Sequence, residues 1–472
     1  MHQTIEIPLW FAVLAAILAA IGLADRLLVP GVRWFLRRRL NRVIDDLNQR
    51  LQLKLRPITL TRRQSLIDRL LYDPQVVAAA EAHAREREMP REVAMAQVEK
   101  YAREIVPAFN AYFYFRIGYW LARRLARTLY RVRVGFTDSA GLDAVPRDAT
   151  VVFVMNHRSN MDYVLVAYLA ADQAALSYAV GEWARVWPLQ QLIRAMGAYF
   201  IRRNSNDPLY RKVLERYVQT ATAGGVPQAI FPEGGLTLDG RMRPPKLGLL
   251  DYLARAFDPV EGRDVVFVPV GINYDRVLED RSLLRKLDPD AKRVSASAAV
   301  GTVLRFVGRN LLRAISGRWY RFGYACVNFG TPLSLRHWLQ ERGAGDLRLV
   351  EKDARSSHVA ALGVELMQRV GAVVPVLPTA LVAQVLLGLS EGAALSSVEI
   401  KARCLELIQR LEGNGARIYV PRGDLDYAIE TGLRMLSLRR IILRDDTGLY
   451  RLNAADRPIL GYYAHSIAHL LP

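Results

Sequence analysis

Between residues 136 and 335 short apolar runs alternate with stretches of helical spacing. The candidate strands are 150–155, 198–201, 228–231, 265–272 and 324–329, with helical stretches such as 208–222 and 246–257 between them. Such alternation predicts an α/β fold, a mixed sheet flanked by helices. Pro269 interrupts the fourth strand and has no N–H, which predicts an edge or a bulge there. The polar run from 279 to 293 reads as a surface insertion, and the solvated run 341–357 as the end of this domain.

The rest of the chain divides around that region. Residues 7–24 carry no charged side chain; as a helix they would be roughly 27 Å long, close to a bilayer core. Arg33, Arg37, Arg38, Arg39 and Arg42 follow, which predicts an anchor over 1–30 with its downstream side in the cytoplasm. It would either cross the bilayer once or lie monotopically in its surface. Residues 31–135 read as helical, basic and membrane-interfacial: aromatic residues from Phe109 to Trp120 are followed by Arg123, Arg124, Arg127 and Arg131. The competing reading is a helix packing those rings on the next domain. Residues 341–472 read as mainly helical, and 396–411, 424–436 and 441–452 have the order helix, helix, β-hairpin, compatible with a winged helix.

A formal charge of +19 calls for an anionic partner: nucleic acid, an anionic lipid surface or a phosphorylated substrate. The two cysteines, Cys326 and Cys404, exclude a disulfide framework, and the sequence offers no metal-ligand cluster.

Chemistry concentrates where strands end. The strand 150–155 runs into Asn156-His157-Arg158-Ser159-Asn160-Met161-Asp162. A histidine takes a proton from a hydroxyl near neutral pH, and a carboxylate can hold its imidazole in one tautomer. H-x-x-x-x-D occurs often by chance; its place at a strand end gives it weight. Residues 197–203, Gly-Ala-Tyr-Phe-Ile-Arg-Arg, end in two fork-shaped donors suited to phosphate, Arg202 and Arg203. In so basic a chain, two solvated surface arginines are the bland alternative. Phe231-Pro232-Glu233-Gly234-Gly235 precedes Arg241, Arg243 and Lys246. Glycines after a strand admit a ligand close to the backbone, and Glu233 can bond a hydroxyl or order the arginines. A tight turn with a solvated glutamate is the alternative. Pro269, in the fourth block, can shape an apolar wall.

In this order and spacing the four blocks resemble the motifs of the glycerolipid acyltransferase superfamily. The wording at 157–163, 197–203 and 231–235 is most similar to its glycerol-3-phosphate 1-O-acyltransferases. Val374-Pro375 and Tyr462-Tyr463…Ile467-Ala468-His469 resemble that branch's C-terminal region. The resemblance implies transfer of a fatty acyl group from acyl-CoA or acyl-acyl-carrier-protein to the sn-1 hydroxyl of glycerol 3-phosphate. The product, lysophosphatidate, would form at the cytoplasmic face of the inner membrane, against its anionic surface. It implies no cofactor beyond the thioester co-substrate and no nucleic acid. It makes His157 the general base and Asp162 its orienting partner. Arg202, Arg203, Glu233, Gly234, Gly235 and Lys246 would bind the acceptor, and Pro269 would flank the acyl or pantetheine channel. Leu236 and Leu238 stand where the branch usually has arginines, so that role passes to Arg241, Arg243 or Lys246, or the acceptor differs. Lysophosphatidate and dihydroxyacetone phosphate are acceptors for the same chemistry. A membrane-attached nucleic-acid-binding protein would leave the four blocks unexplained.

Overall fold

The computed structural model describes residues 63–108, 118–170, 177–180, 194, 197–202, 205–288, 321–390 and 392–471. The apolar stretch 7–24, the basic segment after it, most of the aromatic run 109–120, and Arg203 lie outside these. No helix among the described residues is long and apolar enough to cross a membrane.

Three helices, α1 (Arg63–Leu71), α2 (Pro74–Glu86) and α3 (Arg91–Ile105), come first, then α4 (Tyr119–Leu129) and β1 (Arg131–Thr137). The central region continues with α5 (Ser139–Asp143), β2 (Thr150–Met155), α6 (Met161–Ala170), β3 (Ser177–Val180) and β4 (Ala198–Phe200). It goes on through α7 (Pro208–Ala223), β5 (Gln228–Ile230), α8 (Gly248–Ala254), β6 (Val265–Tyr274), α9 (Asp280–Arg285), β7 (Tyr324–Phe329) and β8 (Leu333–Ser334). The last part holds α10 (Leu335–Glu341), α11 (Lys352–Ala372), α12 (Pro378–Leu387), β9 (Ala394–Leu395) and α13 (Ser397–Gly413). It closes with α14 (Leu425–Ser437), β10 (Ile442–Arg444), β11 (Tyr450–Leu452) and α15 (Arg457–Ala464).

The large sheet has the order β1-β7-β6-β2-β5-β3-β4, with β8 added on β6. It is mixed: β6 is parallel to β2 but antiparallel to β7 and β8. Every residue of β2 and β6 is buried, as strands covered on both faces require. Side chains alternate between two cores. Val151, Phe153 and Met155 join the core shared with α12–α15; Val152 and Val154 join the one shared with α2, α3, α7 and α11. The layer α1–α3 therefore lays its apolar stripe (Val76, Ala80, Val98, Ala102) on the α/β region.

Pro269 sits in the middle of the sheet, paired with Val154 of β2. It is tolerated because β6 changes partners there. Val266 and Phe267 pair with β8, pairing with β7 starts at Val270, and the missing donor falls in the gap.

Asp207 opens α7: its Oδ1 accepts from Leu209 N (2.9 Å) and Tyr210 N (3.3 Å), with Pro208 at the first helical position. At the other end of the chain β10, β11 and β9 form a three-stranded sheet beside α12–α14, in winged-helix order.

Candidate active site

The end of β2 delivers the site. Met155 is the last paired residue. Asn156 then bonds Ile272 of β6 in both directions, its Nδ2 donating to the carbonyl (2.9 Å) and its Oδ1 accepting from the amide (2.8 Å). That double bond ends the strand and sets His157 at the carboxyl edge of the sheet.

Asp162, in the first turn of α6, gathers the loop around itself. Its Oδ2 accepts from Arg158 N (2.7 Å) and Ser159 N (3.0 Å) and lies 2.9 Å from His157 Nδ1. Its Oδ1 accepts from the Tyr274 hydroxyl (2.6 Å). An ionised carboxylate only accepts, so the imidazole proton sits on Nδ1 and the Nε2 lone pair is left for a substrate. Nε2 is 3.4 Å from the Tyr163 hydroxyl, and the ring stacks on Phe231 with centroids 4.2 Å apart. The imidazole is 1 % exposed, with the Tyr163 hydroxyl standing at Nε2.

Glu233 joins the third block to the first. Its Oε1 accepts from His157 N (2.9 Å) and its Oε2 from Arg243 N (3.1 Å). Burial pushes its carboxyl up to about 7, against the pull of those two bonds and of the Arg158 charge. Gly234 has φ +66°, and a Cβ there would come within 2.5 Å of the Lys246 stem, so the turn needs glycine. Gly235 is buried just beyond it, while Arg241, Arg243 and Lys246 are exposed. Leu236 and Leu238 pack against the core rather than facing a ligand.

Arg202 is not brought to His157. Strand register puts both at the carboxyl edge, but β5 and β3 lie between β2 and β4. Three strand spacings separate them by about 14 Å. The Arg202 guanidinium is bidentate on Glu104 (3.0 and 2.6 Å) and stacks between Tyr101 and Tyr210.

Several residues that hold the dyad were not singled out in the sequence. Tyr274 ends β6. Glu279 accepts from the Ser159 hydroxyl (2.7 Å) and from Asn160 N (3.3 Å), and burial raises its carboxyl. Asp280 takes the Tyr463 hydroxyl (2.5 Å) and Arg439 Nη1 (2.6 Å). This part of the expected surface insertion therefore turns inward, because buried donors await its carboxylates. Tyr462 donates to the Arg158 carbonyl (3.3 Å) and lies under its guanidinium, which also donates to the Gly240 carbonyl (2.5 Å). The sequence signal for Glu279 and Asp280 was polarity after an apolar strand, which normally marks solvent, while Tyr462 and Tyr463 carried only the C-terminal resemblance and no role. No cluster of metal-ligating side chains occurs among the described residues.

An imidazole on a buried carboxylate at the carboxyl edge of a sheet is a general-base arrangement, and it lies within a range of the chain that a family model matches. The model described as Acyltransferase matches residues 137–273, and that for the Glycerol-3-phosphate acyltransferase C-terminal region matches 309–471. Residues 137–273 therefore belong to the acyltransferase family and residues 309–471 to the family of glycerol-3-phosphate acyltransferase C-terminal regions. A Mycobacterium tuberculosis protein provisionally named acyltransferase plsB1 is 30 % identical over 354 residues, 74 % of this chain and 52 % of that one. The glycerol-3-phosphate acyltransferase of Ectopseudomonas mendocina is 28 % identical over 425 residues, 87 % of this chain and 49 % of its own. The chain thus spans about half the length of the curated relatives it matches. Among solved structures, the 1-acyl-sn-glycerophosphate acyltransferase PlsC of Thermotoga maritima matches at 16 % identity with a TM-score of 0.31, over 65 % of this chain and 95 % of that one.

Proposed function

We propose that this protein transfers a fatty acyl group from a CoA or acyl-carrier-protein thioester to the sn-1 hydroxyl of glycerol 3-phosphate, giving lysophosphatidate. The observation that carries the reading is the 2.9 Å contact between His157 Nδ1 and Asp162, which leaves Nε2 as a base. The alcohol displaces the Tyr163 hydroxyl and gives its proton to Nε2 as its oxygen attacks the thioester carbon. The C–S bond then breaks, and the thiolate leaves with the proton carried by Nε2. The substrate supplies the nucleophile, so no acyl-enzyme forms.

In glycerol 3-phosphate the phosphorus lies fewer than two peptide units of bonds from the reacting hydroxyl, roughly 6 Å. That span favours cations on the loop of Glu233, namely Arg243 and Lys246, over Arg202. Exposed Trp120, Leu121 and Leu125 on α4, interleaved with exposed Arg123, Arg124 and Arg127, support work at an anionic membrane surface on the cytoplasmic face. Nucleic acid is a poor partner for the winged-helix order. Asp426 and Glu430 of α14 are engaged with Lys401 of α13, so that helix offers no basic face.

The test is purified protein with labelled glycerol 3-phosphate and both donor types, read by lipid chromatography. Lysophosphatidate is expected from the wild type, with a loss of about 10²–10⁴ in His157→Ala. Acylation of lysophosphatidate or dihydroxyacetone phosphate in its place would reassign the acceptor, and near-normal activity in His157→Ala would remove the base.

A further inference from the structure

One turn of α6 meets both nitrogens of the His157 ring. Asp162 Oδ2 lies 2.9 Å from Nδ1, and the hydroxyl of the next residue, Tyr163, lies 3.4 Å from Nε2. Successive helical side chains point about 100° apart, so two neighbours on one turn can straddle an imidazole. Aromatic rings close round it as well. Phe231 stacks on the imidazole with centroids 4.2 Å apart, and Tyr163 meets it edge-on at 5.3 Å and 85°. The Tyr163 and Phe231 rings also touch each other, with centroids 5.1 Å apart. His157, Asp162 and Phe231 are buried, and Tyr163 is the most exposed of the four.

A base that deprotonates an alcohol can deprotonate water too. Water attacking the same thioester would waste the donor as free fatty acid. A hydroxyl standing at Nε2 occupies the place that such a water would take. At 3.4 Å the contact is longer than O–H hydrogen bonds usually are, so it holds weakly and yields readily. What replaces it productively must bring binding energy of its own. An acceptor alcohol tethered through its phosphate does so, and water has no tether.

Resting on the reading of His157 as the base of a thioester acyl transfer, we infer that Tyr163 is a specificity-determining residue. Its hydroxyl keeps water off Nε2 until a tethered alcohol takes its place, so the donor is transferred rather than hydrolysed. In the suppressed reaction water gives one proton to Nε2 as its oxygen bonds the thioester carbon. The C–S bond breaks, and the thiolate leaves with that proton. The products are a fatty acid and the free thiol, with no change of oxidation state.

The experiment uses the full chain with Tyr163→Phe, which removes the hydroxyl and keeps the ring, and with Tyr163→Ala, which opens the wall. Thiol release from acyl-CoA is followed without acceptor, lysophosphatidate formation is followed with glycerol 3-phosphate, and a thermal melt reports folding. Acceptor-free thiol release is expected to rise about tenfold or more in Tyr163→Phe, and further in Tyr163→Ala. Adding His157→Ala to Tyr163→Phe should abolish the gain, because the water is activated at Nε2. Unchanged acceptor-free release in folded Tyr163→Phe and Tyr163→Ala would overturn the inference. If transfer also fell in Tyr163→Phe, the hydroxyl would act on the reacting atoms instead. A gain that survives the loss of His157 would overturn it as well. If the wild type transferred nothing to glycerol 3-phosphate while a His157-dependent gain still appeared in Tyr163→Phe, the acceptor reading would fail and the role of Tyr163 would stand.

Discussion

Asp162→Asn separates the charge of the dyad from its geometry. The wild-type carboxylate receives Arg158 N, Ser159 N, the His157 Nδ1–H and the Tyr274 hydroxyl. An asparagine with its oxygen in the Oδ2 position keeps the first three. Its NH2 then faces Tyr274, whose hydroxyl turns from donor to acceptor. All four bonds change from charge-assisted to neutral, each dropping from about 1.5–3 to about 0.5–1.5 kcal/mol, so about 4 kcal/mol of fold stability is lost. The catalytic loss is larger, because the amide no longer stabilises the imidazolium as the proton arrives. In serine-protease triads the same replacement lowers kcat about 10⁴-fold, about 5.5 kcal/mol of barrier. Initial rates at saturating donor and acceptor, with a thermal melt alongside, are the assay. We expect kcat to fall about 10³–10⁴-fold with a cooperative melt preserved. Asp162→Ala should behave differently. It strands the Tyr274 hydroxyl and two backbone N–H groups without water, at about 1–3 kcal/mol each, which rivals the whole stability of a domain. A folded Asp162→Asn enzyme keeping more than about a tenth of kcat would show that the negative charge does no catalytic work.

Glu233 makes stability depend on pH. Its carboxyl rises from 4.5 to about 7 on folding, so its contribution is complete below 4.5 and is lost as pH climbs through 7, about 3 kcal/mol in all. Glu233→Gln should lack that slope in urea titrations, and curves parallel to wild type would contradict the assignment. Tyr274→Phe removes the 2.6 Å bond to Asp162 and should lower kcat about tenfold with both KM values unchanged. A change confined to KM would place Tyr274 on a substrate instead. Glu279→Ala frees Ser159 and Asn160 and should lower kcat about tenfold, with partial rescue in Glu279→Gln; equal loss in both variants would mean that the charge matters rather than the bonds. Trp120→Ala/Leu125→Ala should weaken cosedimentation with anionic vesicles about tenfold or more, and unaltered sedimentation would take α4 off the membrane.

The strands were legible because apolar runs bounded by polar turns have few other uses. The expected 150–155 and 324–329 coincide with β2 and β7, while 198–201 and 228–231 overran by one residue. The stretch 246–257 shortened to 248–254; at its start Lys246 is tied back, its N–H on the Pro232 carbonyl and its stem across Gly234. His157 and Asp162 were legible as a pair since the short loop between them can close on a single carboxylate. Glu233 was legible as a residue but not in its partner, which is the backbone of His157. Arg202 could not be placed from its own neighbourhood, because Glu104 lies 98 positions upstream. The same holds for Glu279 and Asp280: their polarity argued for solvent, and only Ser159, Arg439 and Tyr463 reverse the argument.

The Tyr462 hydroxyl meets the Arg158 carbonyl across 304 positions of sequence. A ribosome moving at roughly 10 residues per second takes about half a minute to cover that interval. For that time the nascent polypeptide carries its reactive histidine on a loop still missing a far-downstream strut. The proposed reaction therefore becomes possible only about half a minute after the motif itself has emerged.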